Sequence, residues 1–231
     1  RTPEGIDLEE LEWIFRTGHI KFFYTIPRFH YPLGHSYNRK EKEEIIRLAQ
    51  LYDVYIVEDD YLADFDSKHE LTFHYLDDSQ HVIYIKSFSA SLFPALRITA
   101  LLLPSDIQSA FIAYKKAVDY DSNLIMQKAL SLYIDNLMFE KNCFALFNQQ
   151  EKEVMRAKKL LSENQLKLSY FLNRDGILLD LRGLKSVSSF KHSNLPLDFF
   201  ESSYIHDCPY QYAKIRYENL EKTLQHLNKY L

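Results

Sequence analysis

Residues 54–61, with the sequence VYIVEDDY, decide the fold class of this chain. The run Val54–Tyr55–Ile56–Val57 is short, largely apolar and bounded by polar residues, which is typical of a buried β-strand. Three consecutive acids, Glu58, Asp59 and Asp60, follow it. In parallel α/β sheets, ligands bind beyond the carboxyl ends of the strands, so these acids are the first candidates for a functional site.

The segments on either side of this strand predict an α/β layer. Asn38 and Glu41 form a capping-box pattern, which predicts a helix from there to about Tyr52. Further along the chain, the apolar runs 82–85 and 98–103 predict two more strands. Strands that alternate with helices favour a mostly parallel sheet, so we expect an α/β domain in the first part of the chain.

The later part of the chain has a different pattern. Residues 105–163 are helical in character, with several breaks. Short strands are predicted at 167–171, 177–181, 199–205 and 214–217, with a final helix from about residue 219. This order predicts a smaller α+β domain, and we place the division in the long helical region, with residues 1–140 in the first domain and 141–231 in the second.

Composition restricts the possible function classes. The chain has 231 residues and a formal net charge of −4, which disfavours a protein that wraps nucleic acid by itself. No apolar run approaches the ~20 residues of a membrane-spanning helix, so no membrane partner is expected. The two cysteines, Cys143 and Cys208, lack metal-ligand spacing, so no metal is expected and a reducing cytoplasm is the simplest setting.

Polar residues end the predicted strands at three places. They are Glu58–Asp59–Asp60–Tyr61, Lys86–Ser87–Phe88–Ser89 and, a little later, Arg97. Together, a carboxylate, two hydroxyls and an arginine can hold a small anionic ligand that also has a basic centre. Taken alone, acids after a strand more often cap a helix or face solvent in a turn.

The wording of these segments resembles fold-type I pyridoxal-phosphate proteins. The matching motifs are residues 56–61, IVEDDY, and residues 87–97, SFSASLFPALR. The chain is most similar to the aminotransferase-like domain of MocR-type regulators in the GntR superfamily. Residues 27–34, PRFHYPLG, resemble the loop that precedes these motifs, and residues 215–217, IRY, resemble a late strand. The resemblance implies a partial large domain with a mixed, mostly parallel sheet, plus a small α+β C-terminal domain.

The resemblance also implies roles for single residues around pyridoxal phosphate. Asp59 is expected to pair with the pyridine nitrogen and Tyr61 to donate to the phenolic oxygen of the ring. The phosphate is expected to be held by Ser87, Ser89 and Arg97, because a guanidinium forms a forked, charge-assisted contact with phosphate oxygens.

Two further residues are assigned by resemblance. Arg216 is expected to clamp the carboxylate of an amino-acid ligand, although a surface ion pair with a nearby acid is the alternative. Tyr31 stands where aminotransferases of this fold usually have an asparagine that binds the phenolic oxygen, and the regulatory branch often has an aromatic residue there. Tyr31 therefore favours a regulator, and it is included among the expected cofactor-binding residues.

The position of the family's Schiff-base lysine is occupied by Ala90. A methyl group cannot bond covalently to the cofactor or shuttle a proton, so no catalytic residue is assigned and the chain is expected to be inactive as a transaminase. Lys86, four residues earlier, is a minor alternative. Both a natural loss of the lysine and an engineered lysine-to-alanine change are consistent with the otherwise well-kept motif.

Regulators of this type carry more segments than this sequence does. The resemblance implies a winged-helix DNA-binding domain and the early part of the large domain upstream of Arg1, so DNA contact is expected only through that absent domain. It also implies a homodimer, and Arg216 suggests an amino-acid-like effector.

Three hypotheses about function follow. The first is an effector-sensing domain of a MocR-type regulator that binds pyridoxal phosphate, an amino-acid-like ligand, or both. The second is a true aminotransferase of the same fold that carries a lysine-to-alanine change. The third is an interaction domain without cofactor, which gains support from the poor match of residues 182–193 to the family.

Overall fold

The structure is a computed structural model that describes residues 1–66, 70–119, 122–166, 168–182, 195–200 and 212–227. The chain divides into two compact units. The first contains residues 1–30 and 36–147, and the second contains residues 31–35 and 148–231.

The first unit is built on a four-stranded sheet in the order β1-β2-β3-β4. β1 and β2 are parallel, β2 and β3 are parallel, and β3 and β4 are antiparallel. Its strands are β1 (Phe22–Thr25), β2 (Tyr55–Asp59), β3 (Val82–Ser87) and β4 (Thr99–Leu102). This mixed, mostly parallel sheet confirms the predicted α/β class.

Helices cover one face of this sheet. Its core joins α1 (Leu8–Thr17), α2 (Arg39–Tyr52) and α3 (Phe73–Leu76) to residues of β2 and β3. The capping box predicted for α2 is present, because Asn38 Oδ1 accepts from the Glu41 amide at 3.0 Å and Glu41 Oε2 accepts from the Asn38 amide at 2.8 Å. This reciprocal pair satisfies two backbone donors and fixes where α2 begins.

The helical region predicted from residue 105 contains three helices. They are α4 (Ser105–Val118), α5 (Leu124–Asp135) and α6 (Met138–Asn164). Asn123 caps α5 by accepting from the amides of Ile125 and Met126. Among the described residues, no helix is long and apolar enough to cross a bilayer.

The second unit has an antiparallel sheet in the order β5-β6-β8-β7. Its strands and final helix are β5 (Tyr170–Leu172), β6 (Gly176–Asp180), β7 (Asp198–Phe199), β8 (Tyr212–Arg216) and α7 (Tyr217–Leu227). Apolar residues of β6, β8 and α7 form its core together with the end of α6. Helix and antiparallel sheet in one unit match the α+β pattern predicted for the later residues.

The compact units and the sequence-based domains differ at one place. Residues 31–35 lie in the second unit because Leu33 packs with Leu178, Phe200 and Tyr212. Close packing also explains Gly34, whose φ is +78° and where an added Cβ would lie 1.2 Å from Asn173 Oδ1. The division at 140/141 stays a prediction. Of the strand predicted at 199–205, residues 201–205 lie outside the described residues.

Candidate functional site

The carboxyl end of β2 places neighbouring acids on opposite faces of the sheet. Side chains alternate along a strand, so Ile56, Glu58 and Asp60 point to the face that the helices cover. All three are fully buried. Asp59 points to the opposite face and is half-buried. The acidic triplet therefore serves two environments, one inside the core and one open to a ligand.

Asp60 is held by a buried arginine. Arg28 Nε donates to Asp60 Oδ1 at 2.6 Å and Arg28 Nη2 donates to Asp60 Oδ2 at 2.9 Å. Arg28 also pairs with Asp66 and donates to the carbonyl of Glu70 at 3.3 Å. Only 5% of Arg28 and none of Asp60 is exposed. A forked pair of this kind removes both charges from water while satisfying their hydrogen bonds, so Asp60 has a structural role here.

Glu58 binds the amino end of α3. Its two carboxylate oxygens accept from the amides of Phe73 at 2.9 Å and His74 at 3.0 Å. Burial raises the pKa of Glu58 to about 7, although these two hydrogen bonds act in the opposite direction. The carboxylate thus joins β2 to α3 beneath the sheet, and it titrates near neutral pH.

Asp59 accepts a hydrogen bond from a tyrosine of the neighbouring strand. Tyr24 Oη lies 2.6 Å from Asp59 Oδ2. Tyr24 pairs with Val57 in the parallel register of β1 and β2, so its side chain is on the same sheet face as Asp59. Among the described residues, Tyr24 is the single hydrogen-bond partner of the Asp59 side chain. We did not predict a role for Tyr24, whose place in a predicted strand was the only signal available.

The sheet brings the other predicted residues of the first unit to the same edge. β2 and β3 are parallel neighbours, with Asp59 opposite Ile85. Ser87, two residues further along β3, therefore shares the face of Asp59. Tyr61 follows the end of β2 and is half-buried.

The turn that follows β3 carries Ser89, Ala90 and Arg97. The Ser89 amide donates to Ser87 Oγ at 3.3 Å, and the Phe88 amide donates to the Ile98 carbonyl at 3.1 Å, which closes the turn at the start of β4. Ala90 is exposed. This turn therefore lies at the edge of the sheet where β2 and β3 end.

Arg97 is exposed and has a left-handed backbone, with φ of 52°. It lines a surface cleft of about 440 Å³, together with residues of β4 and α4 such as Thr99, Phe111 and Tyr114. The guanidinium is accessible to an anion at the edge where the expected phosphate-binding serines lie.

Lys86 is engaged elsewhere. Its Nζ lies 2.5 Å from Asp64 Oδ2, and both side chains are 13% exposed. Residue 86 has the opposite strand parity to Ser87, so its side chain starts from the helix-covered face. An ammonium group held by a carboxylate is a poor nucleophile, and this contact therefore disfavours Lys86 as a substitute for the missing lysine.

Tyr31 and Arg216 belong to the second unit. The Tyr31 ring packs edge-on against Phe200 with a centroid separation of 5.6 Å, and Lys214 Nζ is 5.6 Å from its centroid. Arg216 Nε donates to Asp198 Oδ2 at 3.1 Å, and 60% of the Arg216 side chain is exposed. Arg216 thus forms the surface ion pair that was the alternative to a ligand clamp.

Two regulators are similar to the chain in sequence. The uncharacterized HTH-type transcriptional regulator YcxD of Bacillus subtilis strain 168 is 34% identical over 249 residues, covering 100% of this chain and 56% of that protein. The HTH-type transcriptional regulator NorG of Staphylococcus aureus strain USA300 is 29% identical over 127 residues, covering 54% of this chain and 29% of that protein. The chain spans about half the length of the first relative and less of the second. No protein-family model matches it.

Solved aminotransferases are similar to the chain in fold. The kynurenine aminotransferase of Pyrococcus horikoshii has a TM-score of 0.84 and 21% identity, covering 99% of this chain and 62% of its own. The α-aminoadipate aminotransferase LysN of Thermus thermophilus has a TM-score of 0.80 and 18% identity, covering 98% of this chain and 62% of its own. These neighbours confirm the predicted fold-type I architecture. The chain is therefore related to part of HTH-type transcriptional regulators and has the fold of aminotransferases.

Proposed function

We propose that this chain, the aminotransferase-like domain of a MocR-type transcription regulator, senses a small amino compound with the help of bound pyridoxal phosphate. One observation carries the proposal. The expected ring-binding and phosphate-binding residues of the first unit gather at one sheet edge, while the lysine position in that edge holds Ala90. A site that keeps its cofactor shell without the covalent anchor is suited to binding rather than turnover.

The donor set fits the chemistry of this cofactor. The half-buried carboxylate of Asp59 can hold a proton on the pyridine nitrogen, and Tyr61 can donate to the phenolic oxygen. The hydroxyls of Ser87 and Ser89 and the exposed guanidinium of Arg97 can bind the phosphate. When bound, the cofactor supplies an aldehyde that reacts with amines and a ring that withdraws electrons.

Without a lysine at position 90, this site lacks the group that anchors the cofactor and moves the substrate proton. Lys86 does not replace it, because its ammonium is paired with Asp64. We therefore propose that amino compounds bind to this domain without being converted.

An effector with a carboxylate fits the second unit. Arg216 is exposed, and its present partner Asp198 is a surface carboxylate that an incoming carboxylate can replace in the same forked geometry. We propose that Arg216 exchanges Asp198 for the carboxylate of an amino-acid-like effector. The names of the relatives support DNA contact through a helix-turn-helix domain in the complete protein, and we further propose that the complete regulator acts in the cytoplasm as a homodimer.

The test is binding of pyridoxal phosphate to the full-length protein, measured by equilibrium dialysis. We expect Asp59→Ala to weaken binding by roughly tenfold or more, since one charged contact contributes about 1.4 kcal/mol or more. Asp106→Ala is the matched control, because Asp106 also accepts from a tyrosine at 2.6 Å but lies away from the ends of β2 and β3. If the unsubstituted protein does not bind the cofactor, the proposal is wrong, and the cofactor-free interaction domain takes its place.

A second experiment restores the anchor. In Ala90→Lys, we expect borohydride reduction in the presence of pyridoxal phosphate to add the mass of one cofactor to the protein. Peptide mapping should locate that mass at position 90. The unsubstituted chain, reduced under the same conditions, should not gain mass at residues 86–97. Labelling of Lys86 in either protein would contradict the assignment of position 90.

The second candidate function is a true aminotransferase that carries a lysine-to-alanine change, and the aminotransferase fold of the solved neighbours favours it. It predicts that Ala90→Lys transfers amino groups from amino acids to a 2-oxo acid. Cofactor attachment in Ala90→Lys without transfer across a broad panel of amino acids would favour the regulator.

A further inference from the structure

The contact between Tyr24 and Asp59 is the strongest feature that the proposed roles leave unexplained. Its oxygen–oxygen distance is 2.6 Å, which is within the short range of a hydrogen bond to an ionised acceptor. Tyr24 comes from β1 and Asp59 from the end of β2, so the contact crosses two neighbouring strands on the open face of the sheet.

Tyr24 is not held in place by burial. As much as 58% of the residue is exposed, so packing alone does not explain why its hydroxyl points to Asp59. Desolvation, and then the hydrogen bond to the Asp59 carboxylate, raise the pKa of Tyr24. The phenol is therefore protonated at neutral pH and acts as the donor.

The carboxylate gains a defined orientation from this bond. The terminal torsion of an aspartate is broad and roughly two-fold, so an unrestrained carboxylate presents its oxygens to a ligand in many directions. Tyr24 engages Oδ2, and the described residues offer Oδ1 no other hydrogen-bond partner. Oδ1 is thus the oxygen that a ligand on the open face can use.

We propose that Tyr24 is a positioning residue that orients Asp59, so that Oδ1 receives the protonated ring nitrogen of the cofactor. This inference rests on the proposed function, because it needs a cofactor with a ring nitrogen at Asp59. A carboxylate that is oriented before binding loses less conformational freedom when the ligand arrives, so the affinity for that one atom of the ligand increases.

The chain offers a closely matched control. Tyr55 lies on the same sheet face, at the other end of β2, and its hydroxyl donates to Asp106 Oδ2, also at 2.6 Å. Tyr55→Phe removes a tyrosine–aspartate hydrogen bond of the same length without affecting Asp59. Comparison with Tyr24→Phe therefore separates the loss of a surface hydrogen bond from the loss of Asp59 orientation.

The experiment compares two ligands in the full-length protein. Dissociation constants are measured by equilibrium dialysis for pyridoxal phosphate and for its 1-deaza analogue, in which a C–H group replaces the ring nitrogen. We expect Tyr24→Phe to weaken binding of pyridoxal phosphate by about five- to tenfold and to change binding of the analogue by less than about twofold. We expect Tyr55→Phe to change neither constant by more than about twofold.

The combination with Asp59→Asn tests whether Tyr24 acts through Asp59. In the Asp59→Asn protein, Tyr24→Phe should have no further effect on pyridoxal phosphate binding, since residues in one hydrogen-bond network are not additive. This comparison still reports on the contact if Tyr24→Phe alone lowers the amount of folded protein.

The outcomes separate the inference from the proposed function. Equal weakening of both ligands by Tyr24→Phe, or additive effects of the two substitutions, would show a merely structural tyrosine and overturn the inference. Unchanged binding of both ligands would overturn it as well. Failure of the unsubstituted protein to bind pyridoxal phosphate would instead overturn the proposed function, and the inference with it.

Discussion

The two faces of the first sheet are made by the same strands and have opposite properties. On the face covered by α1, α2 and α3, the β2 residues Ile56, Glu58 and Asp60 are fully buried. On the other face, Tyr55, Val57 and Asp59 are half-buried, and Tyr24 of β1 is 58% exposed. Adjacent aspartates therefore have different tasks. Asp60 stabilises the fold through Arg28, and Asp59 is left available to a ligand.

The difference teaches that position along a strand alone does not define a site. Asp59 and Asp60 are both acids at the carboxyl end of a parallel strand, which is where ligands bind in such sheets. The alternation of side chains sends one of them into the core, where an unpaired charge is very unfavourable. Substitutions on the two faces should therefore differ strongly in their effect on stability.

The largest expected difference is between the two neighbouring aspartates. We expect Asp60→Ala to lower the free energy of unfolding by about 3–5 kcal/mol, because it leaves the buried Arg28 guanidinium without its forked partner. Asp59→Ala should lower it by less than about 1 kcal/mol, since the carboxylate is half-buried. Urea unfolding followed by circular dichroism measures both. Equal losses would contradict the division between the two faces.

The apolar residues should repeat this contrast. Ile56→Ala removes a fully buried side chain of β2, and we expect a loss of about 3 kcal/mol. Ile83→Ala makes the same change on the opposite face of β3, where the side chain is half-buried, and should cost about 1 kcal/mol. Both are measured by urea unfolding. A larger loss at Ile83 would mean that its face is covered in the full-length protein.

Glu58 adds a pH dependence to the covered face. Because burial raises the pKa of Glu58 from 4.5 to about 7, the folded state binds a proton more tightly than the unfolded state. Its contribution to stability is therefore complete below about pH 4.5 and is lost as the pH rises through 7.

The difference in unfolding free energy between the unsubstituted protein and Glu58→Gln should thus change by roughly 1–3 kcal/mol between pH 5 and pH 8. The unsubstituted protein should be favoured at the lower pH. Thermal unfolding at several pH values measures this. Glu43→Gln, an exposed change on α2, is the control, and an identical pH profile for both variants would contradict the raised pKa.

The smallest expected effect on stability lies in the second unit. Arg216→Ala should lower the free energy of unfolding by less than about 0.5 kcal/mol, because exposed ion pairs contribute little. Arg156→Ala is matched to it, since Arg156 forms an exposed pair with Glu221 at 3.0 Å. If Arg216 binds an effector carboxylate, only Arg216→Ala should abolish the stabilisation that a carboxylate-bearing amine gives in thermal unfolding. Equal responses would remove Arg216 from the proposed site.

Much of the fold could be predicted because its signals are local. The capping box of Asn38 and Glu41 marks the start of α2, and the apolar run 54–57 marks β2. Strand ends were less well placed. β2 extends through Asp59, because strand pairing with β3 continues beyond the apolar run. The membership of residues 31–35 in the second unit was missed, because it depends on packing between residues far apart in sequence.

The sequence by itself determined which residue types occupy the candidate site. The acids at 58–60, the serines at 87 and 89, Arg97 and the alanine at 90 are read directly from the chain, and their wording is enough to suggest the family. These features depend on identity and order along the chain, which a sequence contains in full.

Tertiary structure alone decided which of these residues face a ligand. Arg28 lies 32 positions before Asp60, and Tyr24 lies 35 positions before Asp59, yet each makes a hydrogen bond of 2.6 Å. Such partners are set by strand pairing and by helices that bury one face of the sheet and leave the other open. No local pattern contains that information, because the free energy of burial depends on everything that packs around a side chain.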